Sequence, residues 1–176
     1  MSIELRVANV DLAVTQEGDI LRVEISAKGI DPVGLIKPAA PDSYGIAPTL
    51  RFDAGVEMIA GVALAIPDKT DKTKDVACRV GWCATTGTGD IVYSVLYKWL
   101  SLDTTVNGAE DGTVSSVVTV TSTSSGYNFT SITIPAPSAS DRVLVCQIER
   151  NGTNIADTCA GDAHVVGILF DFTAGP

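Results

Sequence analysis

Residues 90–100 read DIVYSVLYKWL. Alternate positions of an extended chain point to opposite faces, so Ile91, Tyr93, Val95, Tyr97 and Trp99 share one face while Val92, Ser94, Leu96 and Lys98 share the other. Both faces carry apolar groups, the mark of a central strand covered on both sides for at least part of its length. Seven more stretches of this kind surround it: TLRF (49–52), EMIAGVALAI (57–66), DVACRVGW (75–82), TVSSVVTVT (113–121), YNFTSITI (127–134), DRVLVCQIE (141–149) and HVVGILFDF (164–172). Each is rich in Val, Ile, Thr or aromatic residues and is bounded by turn-forming Gly, Pro, Asn or Asp, which predicts a β-sandwich or barrel. Eight is the strand count of a jelly roll. In the last strand, alternation sets His164, Val166, Ile168, Phe170 and Phe172 on the inward face. No segment joins a capping residue to a sustained 3.6-residue period, so helix content should be small. The expected fold is all-β: an eight-stranded jelly-roll-like sandwich with an N-terminal β-hairpin and extended arm.

The first 45 residues read differently. IELRVANV (3–10) and DILRVEISA (19–27) flank the turn residues Gln16, Glu17 and Gly18, and a segment with Pro32, Pro38 and Pro41 follows. Prolines remove backbone donors and favour extended or turn conformations. Two readings are open. In one, residues 1–45 are a hairpin and arm for attachment or oligomerisation, and residues 46–176 form the sandwich domain. In the other, residues 3–27 add strands to that sandwich. Ile3, Leu5, Val7 and Val10 are candidate interaction residues, because such a strand satisfies its backbone by pairing with its own sheet or with a partner's edge.

A chain of 176 residues can bury one substantial core, and 45% hydrophobic with 19% charged residues fits an ordered domain. Twelve basic against 21 acidic side chains leave a net charge of −9, which a phosphate backbone repels, so nucleic acid is not an expected partner. Glu4, Arg6 and Asp11 interrupt any apolar secretory segment near the N-terminus. The longest apolar run, near Gly55 to Pro67, contains Glu57 and is too short to span a bilayer, so no membrane is expected. The four cysteines, Cys78, Cys83, Cys146 and Cys159, are expected as reduced thiols, since a core of this size does not require disulfides.

Catalytic and cofactor motifs are sparse. His164 is the single histidine, and neither a nucleophile elbow nor an HExxH pair accompanies it. Cys78 and Cys83 are five apart, so on a continuous strand their sulfurs point to opposite faces, a poor start for zinc. Carboxylates gather at Asp103, Asn107, Glu110 and Asp111 and at Asp157 and Asp162, but without the spacing of a calcium loop. Gly87-Thr88-Gly89 lacks the lysine of a phosphate loop and reads as a hairpin turn. No cofactor and no metal are expected. Ser or Thr fills 12 of the 21 positions from Thr113 to Thr133, interleaved with Val and Ile, which predicts two strands with a hydroxylated solvent or inter-subunit face. Of the aromatic residues, Tyr127 and Trp82 lie near loops, where they could serve recognition.

TLRFDAG (49–55), the strand ending Ile66-Pro67-Asp68, VYSVLYKWL (92–100) and RVLVCQIERNGTNIADTCAGDAHVVGILFDF (142–172) together resemble the jelly-roll domain of tailed-bacteriophage structural proteins. The resemblance covers residues 46–173. It implies a non-enzymatic virion protein on the exterior of the capsid or tail, most simply a capsid decoration or head-fibre protein. Its implied partners are two further copies in a homotrimer, the major capsid protein or another virion protein, and a host surface glycan. A tail-fibre or tail-tip module recognising a host glycan is the alternative, and a glycan hydrolase a third reading. Cys83 and Cys159 depart from the pattern and leave room for a lineage-specific crosslink.

Overall fold

The computed structural model describes residues 13–26, 37–44, 47–85, 88–104, 109–120 and 126–176. All eight strands expected between Thr49 and Thr173 are present: β5 (Ala47–Phe52), β6 (Glu57–Ala65), β7 (Val76–Ala84), β8 (Asp90–Leu100), β9 (Gly112–Thr119), β10 (Tyr127–Ile134), β11 (Val143–Asn151) and β12 (Ala163–Thr173). Four strands precede them: β1 (Ala13–Glu17), β2 (Ile20–Ser26), β3 (Lys37–Pro38) and β4 (Ala40–Tyr44). No helix occurs among the described residues.

The eight strands divide into two antiparallel sets, β5-β12-β7-β10 and β6-β11-β8-β9. Every connection within this series crosses from one sheet to the other except the β8–β9 hairpin, which is the double Greek key of a jelly roll. The core lies between the sheets. Ile91, Tyr93 and Val95 on β8 are wholly buried, with Tyr97 and Trp99 beside them, as alternation requires. On the other face of the same strand Val92 and Ser94 are also buried, whereas Leu96 and Lys98 are half-exposed. Burial on both sides therefore holds for the first half of β8.

At one end of the sandwich a buried ion pair ties the sheets together. Arg150, at the end of β11, forms a bidentate pair with Asp157 (Nε to Oδ2 3.1 Å, Nη2 to Oδ1 2.8 Å). It also donates to the carbonyls of Phe52, Cys159 and Gly161. Asp157 in turn accepts the backbone N–H of Val92 on β8.

The last strand departs from simple alternation. The pairing of β12 with β7 slips between Val165 and Gly167, so Val166 is an extra, bulged residue. A bulge reverses the facing of everything on one side of it relative to the other. Val165, Ile168, Phe170 and Phe172 therefore enter the core, while His164 and Val166 do not share their face. The expected inward set was misassigned at those two positions for this reason.

The boundary expected at residue 45 is not a boundary of the sheets. β2 pairs with β12 from Ser26 opposite Gly167 to Ile20 opposite Thr173, and β1 pairs with β2. β4 pairs with β5, and β3 lies parallel to β6. Leu21, Val23 and Ile25 are 5%, 1% and 1% exposed, so the second reading of this region, added strands of the same sandwich, describes Ala13–Ser26. Ile3, Leu5, Val7 and Val10 lie outside the described residues.

Deleting residues 1–30 should unfold the protein. Burial of each of Leu21, Val23 and Ile25 contributes about 1.5–3 kcal/mol, and together they rival the roughly 5–15 kcal/mol net stability of a domain. Circular dichroism melting is expected to show no cooperative transition for the truncated chain. A melting temperature within a few degrees of the full chain would mean that β1 and β2 are dispensable.

Candidate functional site

The bulge in β12 sits at a fork. On one side β12 runs beside β7; on the other it pairs first with β5, over Ala163–Val165, and then with β2, from Gly167 onward. On the solvent face of this seven-stranded sheet, Gly81 of β7 lies directly opposite Gly167 of β12, and Phe129 of β10 lies opposite Gly81. The Tyr127 ring covers Gly81, and Gly167 leaves no side chain beside it, so the sheet surface forms a trough there. Tyr127 and Phe129 stand along one wall, with Pro48, Arg22, Glu24 and Leu169 along the other parts of the rim. The cleft so formed has a volume of about 400 Å³, within the usual range for small-ligand sites.

Tyr127 and Phe129 are the exposed aromatic side chains among the described residues, at 53% and 52% exposure. Their rings meet edge to face, with centroids 4.7 Å apart and planes at 77°, the arrangement favoured by the ring quadrupoles. The Tyr127 phenol overlies Gly81, where an added Cβ would come within 2.2 Å of its Oη. Glycine at 81 is thus what lets the tyrosine ring lie flat over the sheet. Burial against the sheet raises the phenol's pKa, keeping it a hydrogen-bond donor.

Beyond the aromatic wall the cleft meets a charged network. Asp171 accepts Arg22 Nε at 2.7 Å and Nη2 at 3.1 Å, and Arg79 Nη2 at 3.1 Å, while Arg22 Nη1 also reaches Glu17 at 3.3 Å. Asp171 holds Arg22 in a fixed orientation at the rim and raises its pKa through hydrogen bonding and charge. Aromatic rings beside a fixed guanidinium and a free-standing carboxylate, Glu24, can grip a ligand with both apolar C–H surface and hydroxyl groups. A second, smaller cleft of about 170 Å³ opens on the other sheet between Leu96, Lys98, Glu110, Val145 and Gln147, without exposed aromatic side chains.

The residues singled out from sequence fare unevenly. Trp82 is wholly buried, its indole N–H donating to Thr130 Oγ1 at 2.8 Å, and cannot reach a ligand. Phe129 was overlooked as a partner of Tyr127, although YNFTSITI places both on the face otherwise filled by Ser131 and Thr133. His164 is 4% exposed, 3.3 Å from Thr49 Oγ1, and burial lowers its pKa despite the opposing pull of Asp42 and Asp162. All four cysteines are buried, and the Cys159 thiol lies 3.7 Å from the carbonyl of Gly161. Cys78 lies in the core and Cys83 outside it, facing opposite ways as their spacing requires, and burial raises the pKa of both. Asp157 is committed to Arg150, Asp162 accepts the N–H of Ala54, and Asp111 accepts that of Trp99. Among the described residues no three metal-ligating side chains converge. Gly89 adopts φ +97°, where a Cβ would press against the backbone of Thr158 and Cys159, but the link it closes carries the chain from β7 to β8 in the opposite sheet and is not the hairpin turn expected there; Gly87 lies outside the described residues.

No protein-family model and no curated protein matches the chain. Among solved structures, the insecticidal δ-endotoxin Cry8Ea1 of Bacillus thuringiensis is similar with a TM-score of 0.53 at 12% identity, over 86% of this chain and 24% of the endotoxin, so this chain spans about a quarter of that protein. A CBM36 carbohydrate-binding module, solved in complex with calcium and xylotriose, gives 0.47 at 12% identity over 84% of this chain and 98% of the module. A family 16 carbohydrate-binding module gives 0.43 at 18% identity over 82% and 92%. At 12% identity the likeness to the endotoxin is one of fold alone.

His164 makes stability depend on pH. Its folded-state pKa lies below the ordinary value near 6.5, so below that value the unfolded chain binds more protons and stability falls as pH is lowered. Denaturant melts between pH 7.5 and 5.5 should show this loss, and His164→Gln should flatten the slope across that interval. An unchanged slope in the variant would show that His164 titrates normally in the folded protein.

Proposed function

We propose that the chain is a non-enzymatic module that binds a glycan in the cleft beside Tyr127 and Phe129, displayed on the outside of a phage capsid or tail. The observation that carries the ligand class is the exposed aromatic pair above a glycine-floored trough with a charged rim. Large apolar rings left open to water on a small domain mark a binding surface. The rim suits a saccharide better than a purely apolar ligand, because Arg22 and Glu24 offer a donor and an acceptor within reach of the rings. The cleft supports binding over hydrolysis: glycoside cleavage uses two carboxylates flanking the bond, and among the described residues Glu24 is the one carboxylate that lines it. Support for the virion setting comes from the sequence resemblance of residues 46–173 to tailed-bacteriophage structural proteins.

Glycan-array screening followed by calorimetry tests this reading. Tyr127→Ala and Phe129→Ala should each weaken the selected saccharide about tenfold or more, roughly 1.4 kcal/mol, with little change in melting temperature because both side chains are half-exposed. Undiminished affinity in both variants would place the ligand elsewhere, and release of shortened saccharides by the wild-type protein would make it an enzyme. Imaging particles with and without the protein separates head from tail.

A further inference from the structure

From Gly112 through Ser140 the chain carries no charged side chain, in a protein whose net charge is −9. This segment supplies both β9 and β10, strands at the margins of the two sheets. The two strands are not equally finished. The inward residues of β10, Asn128, Thr130, Ile132 and Ile134, are 8%, 0%, 3% and 0% exposed. Those of β9, Val114, Ser116 and Val118, are only half-buried, and on the opposite face Val117 is 55% exposed. Among the described residues β9 has one strand partner, β8, and its other edge has none.

An eight-residue edge of this kind is unusual, because native edges are normally blunted by charge, proline or a bulge. GTVSSVVT has no charge and no proline, and its pairing with β8 runs without a register shift. We propose that a second copy of this chain pairs with it, β9 against β9 in antiparallel sense, joining two five-stranded sheets into one continuous sheet. The absence of charge selects the partner: copies of a chain at −9 repel across most of their surface, and this strand is where they can meet without opposing carboxylates.

The two-fold symmetry restricts the register, since residues directly opposite one another in an antiparallel pair share a face. Centring the axis on Ser116 sets Val114 opposite Val118, Ser115 opposite Val117 and Thr113 opposite Thr119. Val114 and Val118, which already pack against the rim of the core, then cover each other's counterparts in the second copy. Glu110 and Asp111 fall outside the paired segment. Centring on Ser115 instead opposes Val114 to Ser116 and Gly112 to Val118, leaving the valines half-covered, so the Ser116 register is the one assigned.

Light scattering and crosslinking of the full chain, without saccharide, test the proposal independently of the glycan reading. The wild-type mass at high micromolar concentration should be twice 18.3 kDa. Val117→Lys, at an exposed position, should be monomeric with an unchanged melting temperature. Ser116→Cys should form a covalent dimer on mild oxidation, since its mate would lie within disulfide reach across the axis, and Thr113→Cys should not. A wild-type mass of one chain, or of the three chains expected from the sequence resemblance, overturns the proposal. So does a Ser116→Cys protein that dimerises without crosslinking.

Discussion

Arg150 is buried completely, and each of its five N–H groups has an acceptor: two on Asp157, and the carbonyls of Phe52, Cys159 and Gly161. A guanidinium taken out of water is costly, and removing one partner from a buried pair typically costs about 3–5 kcal/mol. Burial alone would lower its pKa; the bonds and charge of Asp157 outweigh that, and the group stays ionised. What makes the arrangement matter is where its acceptors come from. Phe52 ends β5 in one sheet, Arg150 is the last but one residue of β11 in the other, and Cys159 and Gly161 belong to the loop that carries the chain into β12. Through Asp157 the clamp also reaches the amide of Val92 on β8. One side chain therefore fixes the separation of the sheets at this end and the point at which β12 begins.

The position of β12 decides the rest. It is the strand with the most partners, β7 on one side and β5 followed by β2 on the other. Its bulge at Val166 falls where β5 gives way to β2, and Val166 and Gly167 both line the trough. Bulges concentrate where a sheet is re-aimed for function. Here the consequence is a cleft lined by β2, β5, β10 and β12, with Val166 to Leu169 of β12 running through it. Removing the N-terminal strands from the fold would remove Arg22 and Glu24 from the cleft as well as three core residues.

The eight strands from Thr49 to Thr173 were legible because alternation of buried and exposed residues is a local signal, clearest in DIVYSVLYKWL and YNFTSITI. The facing of His164 and Val166 was not, because a bulge depends on how two strands meet and leaves no mark in the spacing of one of them. The role of Ala13–Ser26 stayed open for a similar reason: Leu21, Val23 and Ile25 alternate as any strand does, and nothing local names β12 as their neighbour. Tyr127 was visible as a recognition residue, yet Gly81, Gly167 and Arg22 acquire their meaning only when strands distant in sequence are laid side by side. The pairing of Arg150 with Asp157 was not legible, because Asp157 read only as a loop carboxylate beside Asp162 and nothing local marks Arg150 as buried.

The most direct test of the cleft as the binding site is a two-dimensional amide NMR titration of the isotopically labelled chain with the saccharide selected from an array. Shifts confined to Gly81, Tyr127, Phe129, Gly167, Leu169 and Glu24 are the predicted result. Shifts centred on Leu96, Lys98, Val145 and Gln147 of the opposite sheet, or none at saturating saccharide, would contradict it.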